Sequence, residues 1–193
     1  MNFRDEIISI LSTVKKEGIE NIIKFLNEST FFSDPASTLT HNNYEGGLAE
    51  HSFNVYKNLN QFCENDLLDY EKYKDSVKII GLLHDVSLVD TFQKSYKNMP
   101  LKDSNGKNKL NEQGKLTFIE KEMYDYNYNN ILPYPQGQLS TIIIKKYIKL
   151  TILEDLAIQY NQNFINDNFL LNRAQKMSKI ILYTFFAEME SKC

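Results

Sequence analysis

Apolar residues return every three or four positions through most of this chain, and that period commits those stretches to amphipathic helices. Near the start, Phe3, Ile7, Leu11 and Val14 form one stripe, and Ile19, Ile22, Ile23 and Leu26 form another after Gly18. The interruption predicts two helices over residues 2–28 with a bend at Gly18. Residues 30–47 carry Pro35, a run of Ser and Thr, and Gly46-Gly47, so a structured loop is expected there. A helix over 48–64 follows, with Leu48, Val55, Leu59 and Phe62 inward, and another over 71–89, with Tyr73, Val77, Ile80 and Leu83 inward. Past Pro133 and Pro135, the spacing predicts helices over 139–150, 154–162 and 168–190. The second of these starts at Thr151, which with Glu154 has capping-box spacing. The third points Leu170, Ala174, Met177, Ile181 and Phe185 inward.

Residues 91–130 change character. They are rich in Lys, Asn, Asp and Tyr, with turn signals at Ser104-Asn105-Gly106 and Gln113-Gly114. Phe92–Tyr96 and Leu116–Ile119 are expected to pair as a small polar β-hairpin. No repeat or low-complexity tract is present. The expectation is one all-α domain over residues 1–193, with a small insert around residues 91–130.

Composition narrows what such a domain does. Lys plus Arg total 22 against 25 Asp plus Glu, for a net charge of -3, so no basic field holds duplex nucleic acid by charge alone. Two cysteines among 193 residues build neither a disulfide framework nor a Cys-rich zinc module. The opening MNFRDEIISI carries acids among its apolar residues, unlike a secretory signal, and no apolar run approaches the roughly 20 residues that span a bilayer. A cytoplasmic protein with no membrane contact is the expectation. Only three histidines occur, His41, His51 and His84. An imidazole-based metal site must draw on these and on carboxylates.

His51 follows Leu48 by three positions and precedes Val55 by four, so it lies on an apolar face. His84 follows Ile80 by four, and Asp85 adjoins it. Two helices thus each aim a histidine inward. If the second helix ends or bends there, His84 and Asp85 reach one ion together, and His51 completes a two-histidine, one-carboxylate set with open positions. Such a set suits Mn²⁺, Fe²⁺, Ni²⁺ or Co²⁺, with water and a phosphate oxygen in the remaining places. Spacing alone leaves a second reading open, in which both are core histidines satisfied by hydrogen bonds.

Gly46-Gly47-Leu48-Ala49-Glu50-His51-Ser52, taken with Leu82-Leu83-His84-Asp85, resembles the HD superfamily of metal-dependent phosphohydrolases. Phe31-Phe32-Ser33-Asp34-Pro35-Ala36-Ser37-Thr38, followed by His41 and Tyr44, is similar to a bacterial and phage group within it. The resemblance covers about residues 19–185, with 1–18 as an added N-terminal helix. It implies an HD-like helical bundle around a central metal, with His51, His84 and Asp85 as ligands. His41 falls in the loop at the mouth of such a site, where it either contacts a phosphate or acts as an acid; a loop histidine bonded to backbone is the other reading.

The later part departs from that pattern. Gln136 and Asn161 stand where the group has histidines, Ala174-Gln175 falls where it has its last Asp ligand, and Leu88 replaces a Lys. Amides keep size and hydrogen bonding but are poor ligands and no bases. The expectation is therefore a degenerate, catalytically impaired relative holding one transition metal weakly. It would bind a nucleotide, nucleic-acid end or protein partner, with Gln136, Asn161, Gln175 and Lys94 as ligand contacts. The rival is an active mononuclear phosphohydrolase on a nucleotide or phosphodiester. A third, weaker reading is a phage or mobile-element protein that blocks a host machine by surface contacts. On the hairpin, Lys94, Lys97 and Tyr96 either meet phosphates and bases or form a solvated face. Tyr124, Tyr126 and Tyr128 either stack bases or cover the core edge.

Overall fold

The computed structural model describes residues 2–38, 41–162, 169, 173 and 176–192. Among them are seven α-helices: α1 (Phe3–Ser12), α2 (Ile19–Glu28), α3 (Gly47–Asp66), α4 (Tyr70–Leu83), α5 (Gln136–Ile144), α6 (Ile152–Gln159) and α7 (Lys179–Glu190). Between α4 and α5 lie a short 3-10 turn, Val86–Leu88, and two antiparallel strands, β1 (Phe92–Pro100) and β2 (Phe118–Tyr126).

The all-α expectation is thereby corrected: the chain is a mixed fold, mostly helical with a two-stranded sheet of its own. The hairpin is longer than expected and its register differs. Phe92 pairs with Tyr126 and Pro100 with Phe118, so Tyr96 meets Glu122 and not residues 116–119. The reason lies in the tip. Asp103 Oδ1 accepts from the amides of Asn105 and Lys107, Asn111 Oδ1 from those of Gln113 and Lys115, and Gly106 and Gly114 turn with φ of 78° and 74°. Two Asx turns consume residues 101–117, and the strands begin beyond them.

The helices form where the apolar stripes place them, but several end elsewhere. The first stripe does split at Gly18, whose φ is 83° and where a Cβ would lie 2.0 Å from the Tyr147 carbonyl. That contact also accounts for the end of α5 at Ile144 rather than at Leu150: residues 145–150 turn to pack on the α2 start. Helix α4 stops at Leu83, six residues short of the expected end. Helix α7 starts at Lys179, capped by the Ser178 hydroxyl, and Met177, expected inside, is exposed. Leu170 and Ala174 lie outside the described residues. The Thr151–Glu154 capping box is formed in both directions.

Ile7, Leu11, Ile22, Leu26, Leu48, Leu59, Ile80 and Leu83 are fully buried in one core. Three polar ties bring the outer helices onto the α3–α4 pair. Asp66, the last residue of α3, accepts from Lys179 Nζ (2.6 Å) and from the Tyr183 hydroxyl of α7. Buried Glu154 of α6 accepts from Lys16 Nζ (2.6 Å) and Ser76 Oγ (2.9 Å). Ser140 of α5 donates to Ser87 Oγ (2.9 Å), beside the end of α4. No described helix is long and apolar enough to cross a membrane.

Candidate metal centre

His51 sits one turn into α3, and the Gly46-Gly47 pair aims that turn. Gly46 caps the helix at φ 81°, and a Cβ on Gly47 would lie 2.0 Å from the Asn42 carbonyl. His84 is the residue at which α4 ends, and Asp85 leaves helical geometry at φ -110°, ψ 19°. Because the helix stops there, adjacent side chains turn toward one point. Glu188, near the end of α7, reaches the same point.

The four facing atoms are close. His51 Nε2 and His84 Nε2 are 3.4 Å apart. Asp85 Oδ2 is 3.5 Å from each, and Glu188 Oε2 is 3.0 Å from His51 and 3.1 Å from His84. A first-row ion holds N and O ligands at about 2.0 to 2.2 Å. Neighbouring ligand atoms then stand ~3.0 Å apart in an octahedron and ~3.4 Å apart in a tetrahedron. The cluster has the dimensions of a coordination shell, and His51, His84, Asp85 and Glu188 form a buried group able to hold a metal ion.

Every member is tied at its far side. His84 Nδ1–H donates to the Gly81 carbonyl (2.9 Å), and His51 Nδ1–H donates to Ser191 Oγ (3.3 Å), which itself donates to the Glu188 carbonyl (2.8 Å). These bonds fix the tautomers and turn both Nε2 atoms inward. Asp85 Oδ1 accepts from Gln136 Nε2 (2.7 Å) and Asn161 Nδ2 (3.3 Å). Glu188 Oε1 accepts from Lys192 Nζ (2.5 Å) and Gln162 Nε2 (3.2 Å). Glu188 Oε2, buried and aimed at the centre, has no aligned hydrogen-bond donor despite its short distances to both rings. Its ion-pair partners are the two imidazole nitrogens, at 3.0 and 3.1 Å, and a cation at the centre would take their place.

Without an ion, the cluster balances its own charge. Burial works against a charged His84, but the Asp85 and Glu188 carboxylates outweigh it and lift the imidazole to about 10. His51 is raised in the same way, against burial, by both carboxylates. The two imidazoles in turn hold Asp85 and Glu188 well below the carboxylate range, although burial opposes this. Protonation of the imidazoles thus offsets the two carboxylates, and a divalent cation would substitute for those protons.

The other expected site residues divide. His41 packs its ring against His51, with centroids 4.9 Å apart. Burial, then the nearby His51 and Lys192, lower its pKa, so it is neutral near pH 7, which suits an acceptor or base better than an acid. Gln136 and Asn161 do reach the centre, as the donors that hold Asp85. Lys94 is on the exposed hairpin, paired with Glu122 (3.1 Å) and Glu45 (3.7 Å). Gln175 lies outside the described residues. Glu188 is the fourth member of the group, and the sequence motifs do not mark it. Its signal was an acid seven residues after Ile181 and four after Thr184, on a buried stripe where acids are rare.

No family model, curated protein or solved structure matches the chain.

Proposed function

We propose that His51, His84, Asp85 and Glu188 hold one divalent first-row transition ion, with Mn²⁺, Fe²⁺, Co²⁺ and Ni²⁺ as the candidates. On this reading the chain is a mononuclear phosphohydrolase acting on a nucleotide or phosphodiester. The observation that carries it is the set of outward ties: four inward-facing ligand atoms, each with its partner atom held by a hydrogen bond or ion pair. Structural histidine–carboxylate pairs do not require all four members to present one atom to a shared point. The sequence resemblance to the HD superfamily through Gly46–Ser52 and Leu82–Asp85 points the same way, and membership is part of the proposal.

Bound there, the ion would supply Lewis acidity, activating water and polarising phosphorus. The protein supplies the rest. Four such ligands would leave room for water and a phosphate oxygen. Asp85 and Glu188 offset the ion's charge, and neutral His41, against His51, is placed to accept a proton at the edge of the centre.

A second reading follows from Gln136 and Asn161: as neutral amides they move no proton, so the centre would bind a phosphate-bearing ligand with little turnover. One experiment separates the two. The chain is loaded in turn with each of the four metals, its metal content measured, and hydrolysis of p-nitrophenyl and bis(p-nitrophenyl) phosphate followed. One ion per chain with turnover lost in His84→Ala supports the enzyme. One ion with no turnover leaves the binder, and no retained ion from any of the four sinks both.

A further inference from the structure

Asp85 is held by Gln136, and Gln136 has a second neighbourhood. It lines a cleft of about 160 Å³ at the root of the hairpin, between the 3-10 turn, the end of β2 and the start of α5. Ser87, two residues after Asp85, lines it as well. The cleft and the metal centre therefore share a wall one hydrogen bond thick.

The lining has a definite chemistry. Leu88, Tyr126, Leu132 and Tyr134 provide apolar and aromatic surface, Ser87 and Gln136 provide neutral polar groups, and none of the described lining side chains is charged. Tyr126 is backed by Phe92, with ring centroids 5.5 Å apart, and stays 41% exposed; Tyr134 is 49% exposed. Drug-sized ligands fill roughly 300–1,000 Å³, so this cleft takes one ring system and not a whole ligand. Placing a phosphate among uncharged walls would be costly. An uncharged planar ring, by contrast, finds a stacking face and hydrogen-bonding partners there.

We infer that the hairpin-root cleft receives an uncharged aromatic ring, held apart from the His51–His84 centre by Gln136. Gln136 has both as neighbours, donating to Asp85 on one side and bordering the ring on the other. The inference stands on the cleft's own lining and does not rest on the metal-centre reading. The ring is a nucleobase or a simple aryl group, and the hairpin is what gives this chain its ring selectivity.

The test uses the full chain and calorimetric titration with adenosine, uridine, phenol, ribose 5-phosphate and adenosine monophosphate. Proteins compared are the unmodified chain, Leu132→Glu, Tyr134→Ala and His84→Ala. Leu132 is 53% exposed, so a glutamate there charges the cleft without disturbing the core. The expected result is that Leu132→Glu and Tyr134→Ala each weaken the ring-bearing ligands roughly tenfold. Ribose 5-phosphate binding and metal content should not change. His84→Ala should lose metal and ribose 5-phosphate while keeping adenosine or phenol. Adenosine tighter than phenol assigns a nucleobase, and the reverse a simple aryl group. Ring binding that is absent, or untouched by both cleft variants, overturns the cleft while leaving the metal centre standing. Ring binding that the cleft variants weaken in a chain that retains no metal keeps the cleft and removes the centre.

Discussion

Asp85 and Glu188 present one carboxylate oxygen each to the same point, yet their outer oxygens are held differently. Asp85 Oδ1 receives two neutral amides, from Gln136 and Asn161. Glu188 Oε1 receives a cation, Lys192, whose side chain is 34% exposed, together with Gln162. Neutral donors orient a carboxylate and leave its charge intact, whereas a lysine at ion-pair distance competes for that charge. On the metal-centre reading, Asp85 would be the stronger anionic ligand. Glu188 would be the weaker one, with its strength set partly from the surface.

That contrast is broken most directly by removing each charge in place. Asp85→Asn should weaken metal binding more than the roughly 10- to 100-fold typical of outer-partner mutations, and Glu188→Gln should weaken it less than Asp85→Asn does. Equal losses in competition titrations against a chelator would show the two carboxylates to be equivalent. The supporting residues should then differ in sign. Gln136→Leu is expected to cost about 10- to 100-fold in affinity, because Asp85 loses its shorter tie. Lys192→Met should tighten binding by a few-fold, a modest effect because the lysine is partly exposed.

Titration sharpens the same comparison. In the metal-free chain, His84 is raised from 6.5 to about 10, so its contribution to stability is complete below pH 6.5 and is lost as pH climbs toward 10. The depressed Asp85 and Glu188 contribute fully above the ordinary carboxylate range, and that contribution is lost as pH falls below it. Melting temperature measured with chelator should therefore plateau in mildly acidic solution and decline on both sides. Metal affinity should instead rise with pH, with up to about two protons released per ion, since both Nε2 atoms must be bare to coordinate. An affinity flat between pH 6 and 8 would mean that the histidines are neutral without metal. The smallest effect belongs to the hairpin tip, far in sequence from any tie to the centre. Leu110→Ser, at a half-exposed position, should change stability by no more than ~0.5 kcal/mol and leave metal content alone.

His51, His84 and Asp85 were legible in the sequence because each lies in a short local pattern: an inward face, a glycine pair, an adjacent acid. Glu188 was not, because the resemblance directed attention to Ala174-Gln175, and an acid near a chain's end reads as solvated unless the stripe through Ile181 and Thr184 is followed to it. Helix ends were harder still. Nothing between Glu71 and Val89 marks Leu83 as the stop, and nothing between Leu139 and Leu150 marks Ile144. Both ends are set by what packs on them, the Ser87–Ser140 tie in one case and the approach of Tyr147 to Gly18 in the other. The capping box at Thr151 was readable because its two hydrogen bonds join residues three apart. The hairpin's existence followed from composition, but its register depended on how many residues the two Asx turns consume.

Gly81 ties the centre to the core. A Cβ there would lie 2.5 Å from Tyr56 Cα, so the residue sets how near α3 and α4 approach, and its carbonyl also receives the His84 ring. Helix spacing and ligand direction are consequently one variable, not two. Because the clash is with the Tyr56 backbone, no smaller residue at position 56 relieves it, and a larger residue at 81 opens the helices and swings His84 off the point it shares with His51. In a lineage of such chains, the packing of this helix crossing and the presence of a working centre should be inherited, or lost, as a unit.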